Sequence, residues 1–454
     1  MKRRDFLKHT VQACAGIAFG SIIFCCQKRQ KRAPNILIFV SDDTGWNDVG
    51  YHNPEIKTPN IDRLARQGVE LDNFYVSPVC SPTRAALLTG RPPSRFGILG
   101  PIAGRSELAL PKGTMTLAEL LRQHGYQTAI TGKWHLGLKP ELGPRQYGFD
   151  YSYGYFHGQL DQFTHIYKNG DRTWHRNDQF VDEDGHATDL ITNEAIRFIR
   201  ELRDETRPFF LYVPFSVPHF PVQEEKRWEE MYSQIENECR RLYAASMTHM
   251  DDGMGQILAV IEEEGLADDT LVIYFSDNGG QESWSAGPDY YGGKFRPCDQ
   301  LGDNRPLRGW KGELYEGGIR VPAAVYWKGR LQPRQVTEVI AVQDLYPSIA
   351  DLVGAEISSD WPIEGMDIWQ ALNGGALPPR VLYWRTKGQF AVRRGNWKLI
   401  HTGESLERGE QELFDLAQDP FEQDNLITQW PAMANELMGE LLKQASLDTI
   451  YEGK

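Results

Sequence analysis

The chain has 454 residues, 41% hydrophobic and 24% charged, so it holds enough apolar material for a sizeable core and wholesale disorder is excluded. Acidic residues outnumber basic ones by 62 to 49; the net charge of -13 argues against a nucleic-acid partner, and a mean hydropathy of -0.49 excludes a polytopic membrane protein. Six cysteines are too few for a disulfide scaffold.

Residues 1–30 read as an address rather than as fold. Lys2-Arg3-Arg4 and then Phe6-Leu7 precede a mildly apolar run over 11–24 that is too short to span a bilayer comfortably as a helix. The paired arginines resemble a bacterial twin-arginine export signal. The expectation is an exported chain, periplasmic or extracellular, with no stable membrane span. Cys25 and Cys26 are candidate lipid-attachment points, although Phe24 before them is a poor small-residue match, and the cleavage point is left open. Without that segment Cys80, Cys239 and Cys298 remain, an odd number, so at least one thiol is unpaired or chemically used. The state of Cys239 and Cys298 is left open.

The first predicted strand, Asn35-Ile36-Leu37-Ile38-Phe39-Val40, is a continuous apolar run of the kind buried on both faces of a parallel sheet, and it ends in Ser41-Asp42-Asp43. A helix is predicted over 58–68, and another over 116–125 with Leu117, Leu120 and Leu121 at helical spacing. The strand over 127–130 runs into Gly132-Lys133-Trp134-His135. A helix over 189–203, a strand over 209–213 followed by Pro218-His219, and a helix over 240–264 come next. The strand over 270–275 ends in Ser276-Asp277-Asn278-Gly279-Gly280, and 281–310 reads as a long loop rich in Gly, Pro, Asp and aromatics. After about residue 355 short strands at hairpin spacing, 390–394, 397–400 and 412–416, precede a helix over 431–445.

Strands alternating with helices imply an α/β domain whose mostly parallel sheet is covered on both faces. Ligands of such sheets sit beyond the carboxyl ends of the strands, where four runs here carry Asp, Asn, Lys or His. Taken singly these residues have ordinary readings: a cap, a turn, a solvated lysine or a packed histidine. Their convergence on one edge is the organising signal.

Asp42, Asp43, Asp277 and Asn278 offer four oxygen donors, three of them anionic, which suits a hard cation such as Ca²⁺ rather than zinc. Lys133, His135 and Lys311 supply donors for a tetrahedral oxyanion, and His219 is placed to act as a general acid. Cys80-Ser81-Pro82-Thr83-Arg84, followed by Leu88-Thr89-Gly90-Arg91, carries a Cys-x-Pro-x-Arg core.

That core resembles the signature of the formylglycine-dependent sulfatases, a family within the alkaline phosphatase superfamily, and the likeness runs from about Pro34 to the C-terminus. It is strongest toward the arylsulfatase B, N-acetylgalactosamine 4-sulfatase type, through Gly154-Tyr155-Phe156-His157-Gly158, Asp277-Asn278-Gly279-Gly280-Gln281 and Pro306-Leu307-Arg308-Gly309-Trp310-Lys311. The histidine loop, Pro218-His219-Phe220-Pro221, is spaced differently.

The resemblance implies an alkaline-phosphatase-like three-layer sandwich over 34–355 as catalytic domain, with a small antiparallel α+β subdomain over 356–454. It implies that Cys80 is converted to formylglycine by a maturation enzyme and is also a metal ligand. One Ca²⁺ would be held with Asp42, Asp43, Asp277 and Asn278. Arg84 would steady the aldehyde hydrate, Lys133 and Lys311 would grip sulfate oxygens, His135 would assist collapse of the hydrate, and His219 would serve the leaving group. A hydrated aldehyde has two hydroxyls on one carbon: one attacks sulfur, and the other, once deprotonated, expels sulfate without a second substitution at sulfur.

The expected reaction is hydrolysis of a sulfated saccharide, 4-sulfated N-acetylgalactosamine of the chondroitin or dermatan type or a sulfated algal galactan. Tyr155, Phe156, Phe163, Trp174 and Trp284 are candidate sugar-stacking aromatics. The alternatives are a phosphonate monoester or phosphodiester hydrolase, whose relatives tend to carry histidine where this chain has Asn278, and a non-catalytic sugar-binding pseudo-sulfatase.

Overall fold

The apolar run after Pro34 becomes strand β1 (Asn35–Ser41), buried along its whole length. With β2 (Gln127–Lys133), β3 (Phe209–Pro214) and β4 (Thr270–Ser276) it makes the centre of a sheet in the order β4-β1-β3-β2, all parallel. Ile38 lies level with Ile273 on one side and Tyr212 on the other, so the four carboxyl ends finish along one edge. The computed structural model describes residues 33–449 except 286 and 288; the export signal read over 1–30, with Cys25 and Cys26, lies outside the described residues. Among the described residues the sheet has ten strands, its outer ones short and partly antiparallel, and no helix is long and apolar enough to cross a membrane.

Alternation along β1 explains why two layers of helices are needed. Leu37 and Phe39 share a core with Ile61 of helix Pro59–Gln67, with Ile191 of α2 (Ala187–Arg197) and with Met247 and Met250 of α3 (Glu238–Glu263). Ile38 points to the opposite face with its neighbour Tyr212, whose ring lies beside Arg84 of α1 (Cys80–Thr89). Helix α1 packs there with Leu117–Gln123 and Leu345–Val353. The result is the expected three-layer α/β sandwich.

Helix α1 is buried on every side. The sequence pattern does not announce it, because a helix with no solvent face has no amphipathic stripe. A separate sheet of four antiparallel strands, β5 (Val381–Arg385), β6 (Gln389–Arg394), β7 (Trp397–Ser405) and β8 (Arg408–Asp415), follows in simple up-and-down order. One face packs on α4 (Pro431–Ala445) through Val392, Leu399, Leu437 and Leu441; the other meets Tyr75, Leu314 and Ile319. The buried Lys398 ammonium of β7 sits 2.9 Å from Glu316 and 2.8 Å from Glu422, which fastens the small sheet to the segment that follows Lys311.

Candidate active site

Beyond the carboxyl ends of the four central strands lies a cavity of about 570 Å³, with Cys80, His135, His219 and Lys311 in its wall. Asp42, Asp43, Arg84, Lys133, Asp277 and Asn278 are buried behind that wall. Each carboxylate there has one cation. Lys133 Nζ is 2.6 Å from Asp42, Lys311 Nζ is 2.7 Å from Asp43, and Arg84 Nη2 is 2.7 Å from Asp277. Nη1 of Arg84 donates to the Lys133 carbonyl at 2.9 Å, so α1 holds the ends of β2 and β4 together. Charges this deep persist only when paired.

The pairing is incomplete where a cation would help. Asp42 Oδ1 and Asn278 Oδ1 are buried and have no hydrogen-bond partner, while Asn278 Nδ2 donates to Asp43 at 2.8 Å and to the Gly279 carbonyl at 2.9 Å. Burial and the nearby Asp277 carboxylate push Asp42 up to about 8 against the pull of Lys133. Burial also raises Asp43, but the Lys311 ammonium and the Asn278 amide hydrogen bond outweigh it and hold this carboxyl at about 2. An all-oxygen set with two bare acceptors and crowded carboxylates fits a hard divalent ion.

The hydrogen bonds fix the tautomers of the two histidines. His135 Nε2 donates to the Ile102 carbonyl at 2.8 Å, leaving Nδ1 bare, buried and without a partner. His219 Nδ1 donates to the Phe220 carbonyl at 2.5 Å, and its Nε2 faces Asp43 at 3.8 Å. Burial, reinforced by Lys133 for His135 and by Lys311 for His219, keeps both rings neutral. Cys80, free and nearly enclosed, begins α1; burial pushes its thiol up, although Lys133 and Lys311 pull the other way. It therefore lacks the depressed pKa of a thiolate nucleophile.

The backbone is strained at two of these positions. Asp43 has φ of 75° and His135 of 58°, left-handed values that side chains other than glycine rarely adopt and that cluster at functional sites.

Several contributors were not legible in the sequence. Ser81 donates to the His135 carbonyl at 2.8 Å and accepts from Ile102 N at 3.1 Å, so the residue after Cys80 holds the histidine strand end. Gly158 closes the Gly-Tyr-Phe-His-Gly stretch against the His135 ring; a Cβ there would stand 2.5 Å from the imidazole. Gln159, Lys168, Gln281 and Trp310 also line the cavity. Of the five proposed stacking aromatics, Tyr155, Phe156 and Trp174 are buried core residues, Trp174 lining only a cavity apart from the site, which corrects that expectation. Phe163 lines a different cavity of about 440 Å³, and Trp284 alone reaches the site. Burial decides this, and alternation in short strands did not reveal it.

The family model for sulfatases matches residues 34–355. The chain belongs to the sulfatase family. Among curated relatives of this sulfatase, arylsulfatase J of Mus musculus is 31% identical, over 90% of this chain and 75% of that one. N-acetylgalactosamine-6-sulfatase of Rattus norvegicus is 32% identical, over 80% of this chain and 71% of that one. The solved structure of Ps i-CgsB in complex with k-i-k-neocarrahexaose is similar with a TM-score of 0.82 and 28% identity, over 93% of this chain and 94% of that one. Enzymatic sulfate-ester hydrolysis and the alkaline-phosphatase-like architecture follow from membership and fold.

Proposed function

We propose that this sulfatase acts outside the cytoplasm on a sulfated carbohydrate, using Cys80 converted to formylglycine and one Ca²⁺ held by Asp42, Asp43, Asp277, Asn278 and the modified residue. The observation that carries the reading is the convergence of Cys80, His135, His219 and Lys311 on one cavity wall in front of two unpartnered buried oxygens. The modification would supply a gem-diol in place of a thiol held protonated, and the cation would supply positive charge where sulfate oxygens collect.

The chain's own groups then divide the work. Arg84 neutralises Asp277 and braces α1, so the position of Cys80 is set from behind. His135 Nδ1, bare and buried, is the base for the second hydroxyl. Lys311 reaches the cavity wall and shares its charge between Asp43 and a sulfate oxygen, whereas Lys133 is enclosed and acts from behind the wall, paired with the buried Asp42. His219 presents a bare Nε2 on the same side; the proton lost by the attacking hydroxyl would pass to it and from there to the departing oxygen.

A saccharide is favoured because relatives are named for N-acetylgalactosamine and a solved neighbour holds a neocarrahexaose. A 4-sulfated N-acetylgalactosamine unit or a sulfated galactan is the leading substrate class, and the names of relatives leave the sulfate position open. Asn278, where the phosphonate hydrolases tend to carry histidine, weighs against the phosphonate reading.

Two measurements test the proposal. Mass spectrometry of the Cys80 peptide, from protein made beside a working maturation enzyme, should find the aldehyde. Sulfate release should then be seen from defined sulfated sugars. An unmodified thiol in active protein, or preference for phosphonate monoesters, would reject it.

A further inference from the structure

The catalytic cavity shares two wall residues with a second one. Tyr167 and Lys168 line both it and an adjoining space of about 450 Å³ that also takes in Asp161, Asp289, Tyr291 and Lys294. The two loops that form this boundary are tied by the Tyr291 N–H donating to the Lys168 carbonyl at 2.7 Å.

Along these two cavities, among the described residues, two side-chain oxygens lack a hydrogen-bond partner and one ammonium lacks a carboxylate. Gln159 Oε1 in the first cavity and Tyr291 Oη in the second are buried and make no hydrogen bond among the described residues. Buried polar atoms are ordinarily satisfied, so an orphan on a cavity-lining side chain is a group that a small side-chain rotation offers to a ligand. Lys168 is half-buried, its Nζ 4.3 Å from the Tyr290 ring centre and 5.6 Å from that of Tyr167. Among the described residues no carboxylate lies within ion-pair distance of it. Lys294, in the same space, is held by Asp161 at 2.5 Å, and that carboxylate also accepts from the Phe163 and Thr164 amides at 3.0 Å. Asp161 and Lys294 therefore cancel. Asp289 is exposed and its field is screened by water. Within the second cavity the uncancelled charge is the Lys168 ammonium, while the Glu282 and Glu313 carboxylates line the first.

We infer that the second cavity is a subsite for the sugar unit adjoining the one that loses sulfate, and that it selects an acidic unit. Lys168 would meet the neighbour's carboxylate or sulfate, Tyr291 Oη would donate to one of its oxygens, and Gln159 would accept from a hydroxyl between the two rings. This rests on the sulfated-saccharide reading above and adds to it a minimum length and a charge for the substrate.

The test compares kcat/KM for three probes: the best sulfated monosaccharide, the same unit extended by a neutral hexose, and the same unit extended by a hexuronic acid. The full-length modified enzyme should prefer the acidic over the neutral extension by about tenfold, the scale of one charge-assisted contact. Lys168→Met should lower that ratio by about tenfold and Tyr291→Phe by about threefold, while Lys168→Arg keeps most of it. A general loss of folding would depress both disaccharides alike and leave the ratio unchanged. A wild-type ratio near one, or a ratio unmoved by both Lys168→Met and Tyr291→Phe, overturns the subsite while sulfate release from the monosaccharide stands. Failure of the wild-type enzyme on every sulfated sugar instead overturns the functional reading beneath it.

Discussion

Arg84 donates through Nη2 and Nε to one oxygen of Asp277, at 2.7 and 3.2 Å, with neither side chain reaching solvent. Removing one partner strands the other as an uncompensated buried charge. Asp277→Ala is therefore expected to abolish turnover and also to cost about 3–5 kcal/mol of stability. Asp277→Asn removes the same charge and so should lose stability on a similar scale, while lowering kcat by about 10²-fold or more. Urea unfolding alongside sulfate-release assays follows the two effects; unchanged stability in both variants would count against a buried ion pair here.

Lys311 differs from Lys133 in reaching the cavity wall, with 12% of its side chain exposed. Lys311→Ala should lower kcat by about 10²–10³-fold with only a small change in Tm, because water can enter where the ammonium stood. Wild-type rates in this variant would remove Lys311 from the reaction.

Two bare buried oxygens, on Asp42 and Asn278, make cation binding measurable without turnover. Dialysis against a chelator should lower both activity and Tm. Ca²⁺ should restore them at lower concentration than Zn²⁺, with Tm rising further as the free ion exceeds its Kd. A Tm indifferent to chelator and to added ion would count against the site.

His249 of α3 donates from Nδ1 to Glu224 at 2.8 Å and from Nε2 to Asp189 at 3.1 Å, so its ring is an imidazolium. Burial opposes the charge, but the two carboxylates prevail and hold the pKa up at about 9. A raised pKa gives stabilisation that is complete below the ordinary value of 6.5 and is lost as pH climbs through about 9. His249→Gln is expected to cost about 3 kcal/mol at low pH. The gap in Tm from wild type should close as pH passes about 9; a gap independent of pH would mean the ring is neutral.

The Cys239–Cys298 disulfide bears on the substrate wall. Cys298 and Trp284 exchange backbone hydrogen bonds at 2.7 Å, and Trp284 stacks on Phe220 beside His219. Cys298→Ser should cost about 2–4 kcal/mol and raise KM more than it lowers kcat, since the loop it frees lines the cavity. Unchanged KM would assign the bond to stability alone.

The central sheet was readable because its strands are long, apolar and buried on both faces, and the polar cluster ending each one marked the shared edge. The β5 strand and the short outer strands were missed: runs of two to five residues with mixed burial carry little periodicity. The site's charged residues could be placed near one another from strand order alone. Which cation serves which carboxylate could not, because Arg84, Lys133 and Lys311 are interchangeable as letters, and reach and burial sort them. Ser81, Gly158 and Lys398 act through contacts with residues far away in sequence, and nothing local distinguishes them from ordinary neighbours.

Every residue of α1 is shut away from water, from Cys80 through Thr89. A protein catalyst that grips an extended stretch of peptide around that cysteine finds nothing of it to hold once the sandwich has closed. On the formylglycine reading proposed above, conversion of the thiol would then come earlier in the life of the chain than the final collapse. On that reading a copy that folds too soon would stay unreacted, and the yield of competent molecules would be a race between two clocks.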